Sequence, residues 1–227
     1  MNRKKMWNVA KINFHFLLPA YIITTALLII GVWNLIASFT GITDNYYVEM
    51  GNYLYAIPVF APIFIVGRNF KRIMNLNGKK QDYYWGCLTN YVIIATTVSL
   101  LNIVLLSISK TLFDSQLVIQ SLAEVFGWLK HGIIVGFFQQ FFFLLLIAVF
   151  VHVLTEIQCF WFGWVTDVLL IAIISVFTPI PLLRKILIAF FNMIIFQPNA
   201  LEQMVCCLVL TVCFYALELF ILRRKRI

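Results

Sequence analysis

The 227-residue chain is 63% hydrophobic and only 11% charged, with a net charge of +8 and a mean hydropathy of +0.95. Soluble domains are roughly 45–50% apolar and about 25% charged, so this composition excludes a soluble fold and predicts an all-α integral membrane protein with one transmembrane domain, 1–227. A basic balance can also signal nucleic acid. Here no RNA- or DNA-binding module is visible and the cations flank apolar runs, so the positive-inside rule accounts for them and no nucleic-acid partner is expected.

The opening Met1-Asn2-Arg3-Lys4-Lys5 looks like the n-region of a signal peptide. The apolar run behind it is about 25 residues long and has no A-x-A cleavage site, so it reads as a retained first helix. Six spans are predicted at about 16–39, 52–67, 87–108, 132–154, 159–178 and 204–222. The second is short and bent by Pro58 and Pro62. Six such helices and their connections use the whole length, leaving no room for a separate soluble domain.

Charge then predicts orientation. Thirteen of the 17 Lys and Arg residues precede span one, separate spans two and three, or follow span six, the last group being Arg223, Arg224, Lys225 and Arg226. The opposite side holds Lys110, Lys130, Arg184 and Lys185 with the acids Asp44, Glu49, Asp114, Glu124 and Glu202. Both termini are therefore expected in the cytoplasm. A composition rich in Lys, Asn, Ile and Phe fits the cell membrane of a low-GC Gram-positive bacterium.

On the outer side, residues 40–51 form a polar loop with Tyr46 and Tyr47 at the lipid interface. Residues 110–131 are expected to form a helix on or in the outer surface, using Leu117, Ile119, Leu122, Val125, Phe126 and Leu129. Ile186 to Phe196 is strongly apolar yet only 11 residues long. At 1.5 Å per residue it reaches about 16 Å, half a bilayer. With Pro179 and Pro181 before it and Pro198 after it, it predicts short re-entrant helices between spans five and six. The alternative, a seventh span, would put the basic C-terminus outside.

Residues 68–86 form the one long charged stretch between apolar runs. Phe70, Ile73, Met74 and Asn77 recur at helical spacing, with Lys71, Arg72 and Asn75 pointing elsewhere. A short amphipathic cytoplasmic helix is predicted, stopped at Asn77-Gly78 because both residues tolerate left-handed backbone. Lys79 and Lys80 are expected in solvent, and Tyr83, Tyr84 and Trp85 at the interface.

Polar groups inside spans are costly and usually face protein or water. Ser99 and Asn102 share a face of span three with Ala95, Gln139 and Gln140 sit among phenylalanines in span four, and Asp167 lies eight residues into span five. They mark either helix packing or a pathway. The available pairings are Asp167 with His152, Glu218 with Arg223 or Arg224, and Glu156 with a basic residue of 68–80 or with a soluble partner. The five cysteines lack CxxC spacing and read as small buried apolar residues. The 22 phenylalanines either face lipid or give spans four and five an aromatic surface for an amphipathic or lipid-like cargo. No HExxH, paired glutamates, Ser/His/Asp pattern, metal-ligand cluster or phosphate-binding G-x-x-x-x-G-K-[ST] loop occurs, so the chain is not expected to be an enzyme.

The order of elements resembles the membrane subunit of type-2 ABC exporters, in the small six-span form of bacterial peptide and antibiotic exporters. Three features carry the likeness. Met6, Trp7, Ala10 and Phe14 lie in a segment similar to that family's N-terminal interfacial helix. The cytoplasmic helix followed by Gly78, basic residues and aromatic residues is similar to its coupling segment, with Lys79-Lys80 where Ser/Thr-Arg is usual. The half-length 186–196 stretch is similar to its re-entrant helices. The resemblance implies that Phe70, Lys71, Ile73, Met74, Asn77, Gly78, Lys79 and Lys80 couple to a separate ATPase subunit, present twice and holding ATP and Mg. It also implies that a second membrane subunit, identical or related, completes the path. This chain would bind no cofactor itself. The implied cargo is an amphipathic peptide, an antibiotic or bacteriocin, or a lipid-like molecule. The competing readings are the substrate-binding membrane component of a vitamin uptake transporter and a membrane enzyme or assembly factor without transport activity.

Overall fold

A computed structural model of the protein describes residues 3–42, 46–113 and 117–225, without the side chains of Arg3 and Arg68. Asp44, Asp114 and Arg226, which entered the charge count, lie outside the described residues. Helix α1 (Arg3–His15) precedes α2 (Leu18–Phe39), which starts with Pro19 in its first turn, where a missing N–H is harmless. A 3₁₀ turn (Met50–Tyr55), α3 (Ala56–Phe64), a π segment (Ile65–Asn69) and α4 (Phe70–Asn75) follow without a break. Next come α5 (Lys80–Phe113), α6 (Leu122–Val125), a 3₁₀ turn (Trp128–His131) and α7 (Ile133–Ile157). The chain closes with α8 (Trp161–Phe177), α9 (Pro181–Phe191) continued by a π segment to Phe196, and α10 (Ala200–Arg224).

Among the described residues, five stretches are long and apolar enough to cross a bilayer: Leu18–Phe39, Met50–Gly67, Lys80–Phe113, Ile133–Ile157 and Ala200–Arg224. This is the character of a multi-pass helical membrane protein. A sixth exists only if α8 and the helix Pro181–Phe196 count together, and these are bent by 115°. Alone, the 17 residues of α8 reach about 25 Å, short of a hydrocarbon core of about 30 Å.

Three expectations change. Helix α5 has 34 residues, about 50 Å, and begins at Lys80 rather than near 87. It therefore includes Tyr83 and Tyr84, which are buried, while only Trp85 is exposed. Instead of one surface helix over 110–131, α5 runs on to Phe113 and a short strand β2 (Val118–Gln120) pairs in parallel with β1 (Tyr46–Val48), Tyr47 opposite Ile119. Two connecting loops thus stitch each other with backbone hydrogen bonds, a small departure from an all-helical chain. Finally, a single helix, α then π, covers Pro181–Phe196 where two short helices were expected.

The main core joins α1, α3, α4, α5, α7 and the end of α10 through Val9, Leu17, Ile65, Phe70, Tyr83, Tyr91, Val149 and Leu222. Gly86 lets α1 lie against α5: a Cβ there would come within 2.5 Å of Val9 Cγ1. Met6 and Phe14 are half-buried, Ala10 is buried and Trp7 is exposed. Helix α1 is thus a packed element with one open side. By contrast, α8 buries only Gly163 and α9 buries nothing.

Candidate functional site: a polar junction at the end carrying both termini

Helix α4 is anchored by one face. Phe70, Ile73 and Met74 are buried, while Lys71, Arg72, Asn75 and Leu76 are exposed, Leu76 to 67%. Its stop follows local chemistry. Asn77 adopts φ 56°, its N–H donates to Met74 O at 3.0 Å, and Gly78 N–H donates to Ile73 O at 2.9 Å. This is the paired closure of a Schellman cap. Gly78 is required because a Cβ would approach Ile73 O to 2.7 Å. The expected stop is therefore observed. The apolar face, however, belongs to this chain's own core and is not free to touch another protein.

Two lysines then tie the segment to the end of α10. Lys79 is exposed. Lys80, expected in solvent, donates from Nζ to Leu222 O at 2.9 Å and to Lys225 O at 2.6 Å. A helix C-terminus leaves carbonyls without intrahelical partners and carries partial negative charge, so a cation is stabilising there. Reciprocally, Lys225 Nζ donates to Glu156 Oε2 at 2.5 Å and sits 4.3 Å from the centre of the Phe70 ring. Glu156 also accepts from the Tyr83 hydroxyl at 3.4 Å. Glu156 is thus paired with Lys225, not with a basic residue of 68–80.

One turn earlier on α7, His152 lies between Tyr91 and Glu218, all fully buried. Tyr91 Oη is 2.5 Å from Nδ1, and Glu218 Oε1 is 2.8 Å from Nε2. This corrects both sequence pairings. Glu218 meets His152 rather than Arg223 or Arg224, which are exposed. Asp167 accepts from Gln158 Nε2 at 2.7 Å on the loosely packed α8. Hydroxyl, imidazole and carboxylate thus meet in one buried cluster that joins α5, α7 and α10.

A third group consists of asparagines. Asn69 Nδ2 donates to Asn13 Oδ1 at 3.1 Å, Asn13 Nδ2 donates to Asn90 Oδ1 at 3.0 Å, and Asn90 Nδ2 donates to Ala10 O at 3.0 Å. All three side chains are fully buried and link α1, the π segment and α5. Sequence reasoning missed them. The available signal was their polarity inside apolar helical faces, which demands partners.

The remaining predicted polar residues lie toward the other end. Asn102 Nδ2 donates to the Tyr55 hydroxyl at 2.6 Å, and Gln140 also bonds that hydroxyl. Gln139 Nε2 donates to Gln203 Oε1 at 2.5 Å, and Gln203 passes the chain on to Ile194 O. Ser99 is buried beside Ala95 with no hydrogen-bond partner among the described residues. Ser99, Asn102 and both glutamines are therefore packed between helices, whereas Asp167 is not part of this group. At that end Glu49 is fully buried and accepts from Gly51 N–H at 2.8 Å. Burial pushes its carboxyl up to about 7, against the lowering effect of its backbone hydrogen bonds.

Of the cysteines, Cys87 and Cys207 are buried as expected, but Cys159 and Cys213 are exposed and Cys206 is half-buried. Among the described residues no group of three or more His, Cys, Asp or Glu side chains could hold a metal. Comparison of the chain with protein-family models, with curated proteins and with solved structures gives no match.

Proposed function

We propose that this chain is the membrane subunit of an ATP-driven exporter, with six spans, both termini in the cytoplasm of a bacterial cell, and α4 as the helix that receives force from a separate ATPase. The observation that carries this reading is the half-anchored state of α4. Its inner face is locked into the core and its outer face presents Lys71, Asn75 and Leu76 uncovered, with Arg72 exposed but stacked 3.9 Å from the centre of the Phe16 ring. A force transmitter needs both properties, a free side to be pushed and a fixed side to push with.

The junction sets where that force would go. Lys80 and Lys225 couple α4 to α7 and α10, and the unbroken run Met50–Asn75 couples it to span two. Movement of α4 would thus reach spans two, three, four and six together. In this reading α8 and Pro181–Phe196 form the fifth span with its re-entrant arm, and a second membrane subunit completes the path. Two ATPase subunits supply ATP and Mg, and the cargo is an amphipathic peptide, antibiotic or lipid-like molecule.

The test targets the outer face of α4. Purified protein carrying Leu76→Asp and Lys71→Glu should insert and fold normally, yet fail to co-purify with an ATPase subunit and fail to stimulate its ATP hydrolysis. An ATPase that still binds and is still stimulated would overturn the coupling role. Phe70→Asp or Met74→Asp would be a poor test, because each places a charge in the core.

A further inference from the structure

Between α7, α10, α8 and α9 lies a crevice of about 500 Å³, within the roughly 300–1,000 Å³ of small-molecule sites. Its walls are apolar throughout, with Phe143, Phe150 and Phe214 on the α7 and α10 side and Ile173, Leu187 and Phe190 on the hairpin side. The bend of 115° holds it open, because α8 leaves α7 after the turn at 158–160 and the helix Pro181–Phe196 returns to meet α10. At the far corner, Arg184 and Lys185 interrupt an otherwise apolar helix. Both are exposed and neither side chain has a hydrogen bond or ion pair among the described residues. Arg184 lies one helical turn before Leu187, on the edge of the face that lines the crevice.

A wholly apolar cleft accepts no polar solute, and a basic pair beside a lipid-exposed surface is unfavourable unless it reaches water or an anion. We propose that the crevice holds an acyl chain of an anionic bilayer phospholipid, with Arg184 engaging its headgroup. Tail and head are each matched by a separate feature of the site. The lipid would brace α8 and α9 against α7 and α10, supplying contacts that the protein itself does not make there. Such a site is independent of whether an ATPase docks on α4.

The test uses the full chain in nanodiscs with phosphatidylglycerol or phosphatidylcholine carrying the same photoreactive diazirine acyl chain. Labelled residues are then mapped by mass spectrometry. Phosphatidylglycerol should label 143–150 and 186–195 in excess over phosphatidylcholine, by roughly fivefold per engaged basic residue. Arg184→Glu, at an exposed position, should remove that excess and leave labelling elsewhere unchanged, whereas Lys185→Glu, on the opposite side of the helix, should leave the excess in place. Equal labelling by the two headgroups would overturn the site, because bulk lipid then fills the crevice. Labels absent from those helices would overturn it too, with a second copy of the chain or a closed hairpin occupying the space.

Discussion

The two ends of this chain's architecture are held by different physics. At the end carrying both termini, buried charges and amides join helices far apart in sequence: Lys80 to the end of α10, Lys225 to Glu156, His152 to Glu218, Asn13 to Asn69 and Asn90. The α8–α9 hairpin has almost none of this. Apart from Arg184, Lys185 and a few other polar groups its side chains are apolar and exposed or half-buried, and among the described residues Asp167 bonds to Gln158 at the neighbouring turn. In a bilayer, lipid tails compete on equal terms with apolar side chains, so apolar contact alone does not specify how helices associate. The junction therefore has one favoured geometry, whereas the hairpin can change its angle at little cost.

The strongest way to break this contrast is to remove one member of the buried His152–Glu218 pair. Glu218→Leu leaves His152 with a single polar partner in the core and should destabilise the protein by about 3–5 kcal/mol, measured as thermal unfolding in detergent. His152→Leu combined with Glu218→Leu should recover much of that loss, because removing a buried pair together leaves no charge behind. A double substitution as harmful as the single one would show that the pair itself, and not its desolvation balance, maintains the junction.

Gly86→Leu should come next. It would force α1 away from α5 against Val9 at a cost of about 1–3 kcal/mol, visible as faster proteolysis of the N-terminal helix. A smaller, pH-dependent effect is expected at Glu49. Its carboxyl titrates at about 7 rather than 4.5, so the folded state favours the protonated form. That contribution is fully present below pH 4.5 and is lost as pH rises through 7. The unfolding midpoint should fall between pH 5 and pH 8 by about 2–4 °C per kcal/mol of this effect. Glu49→Gln should flatten the dependence. Least of all, Ile171→Ala on the exposed side of α8 should change stability by no more than about 0.5 kcal/mol. A larger loss would mean that α8 is packed against something, and the contrast between the two regions would fail.

Much of this layout was legible in the sequence. Apolar length located the spans to within a few residues: 132–154 was read and Ile133–Ile157 is observed, and 204–222 was read against Ala200–Arg224. Periodicity identified the buried face of α4, and Asn77-Gly78 announced its end. Pairing was not legible. Periodicity says that a residue faces inward without saying which helix it meets, so His152 was matched with Asp167 when its partner is Glu218, 66 positions away. The start of α5 was misread for a related reason. Tyr83 and Tyr84 have the chemistry of interfacial anchors, and only tertiary packing makes them core residues. Lys80 looked like a solvated cation because the carbonyls it caps lie more than 140 residues downstream.

The π segment Ile65–Asn69 has a consequence for the phase between span two and α4. A π turn is equivalent to one extra residue in an α-helix, and one residue corresponds to a rotation of about 100°. The exposed Gly67, with open space where a Cβ would stand, could be deleted without filling or emptying the core. If the run took up α geometry with that residue kept, α4 would turn by that angle, lifting Phe70, Ile73 and Met74 out of their seats and driving Lys71 and Arg72 toward them; deleting Gly67 at the same time would bring α4 back to its present phase. The π turn thus acts as an indexing notch that decides which side of α4 is buried and which is offered to a partner.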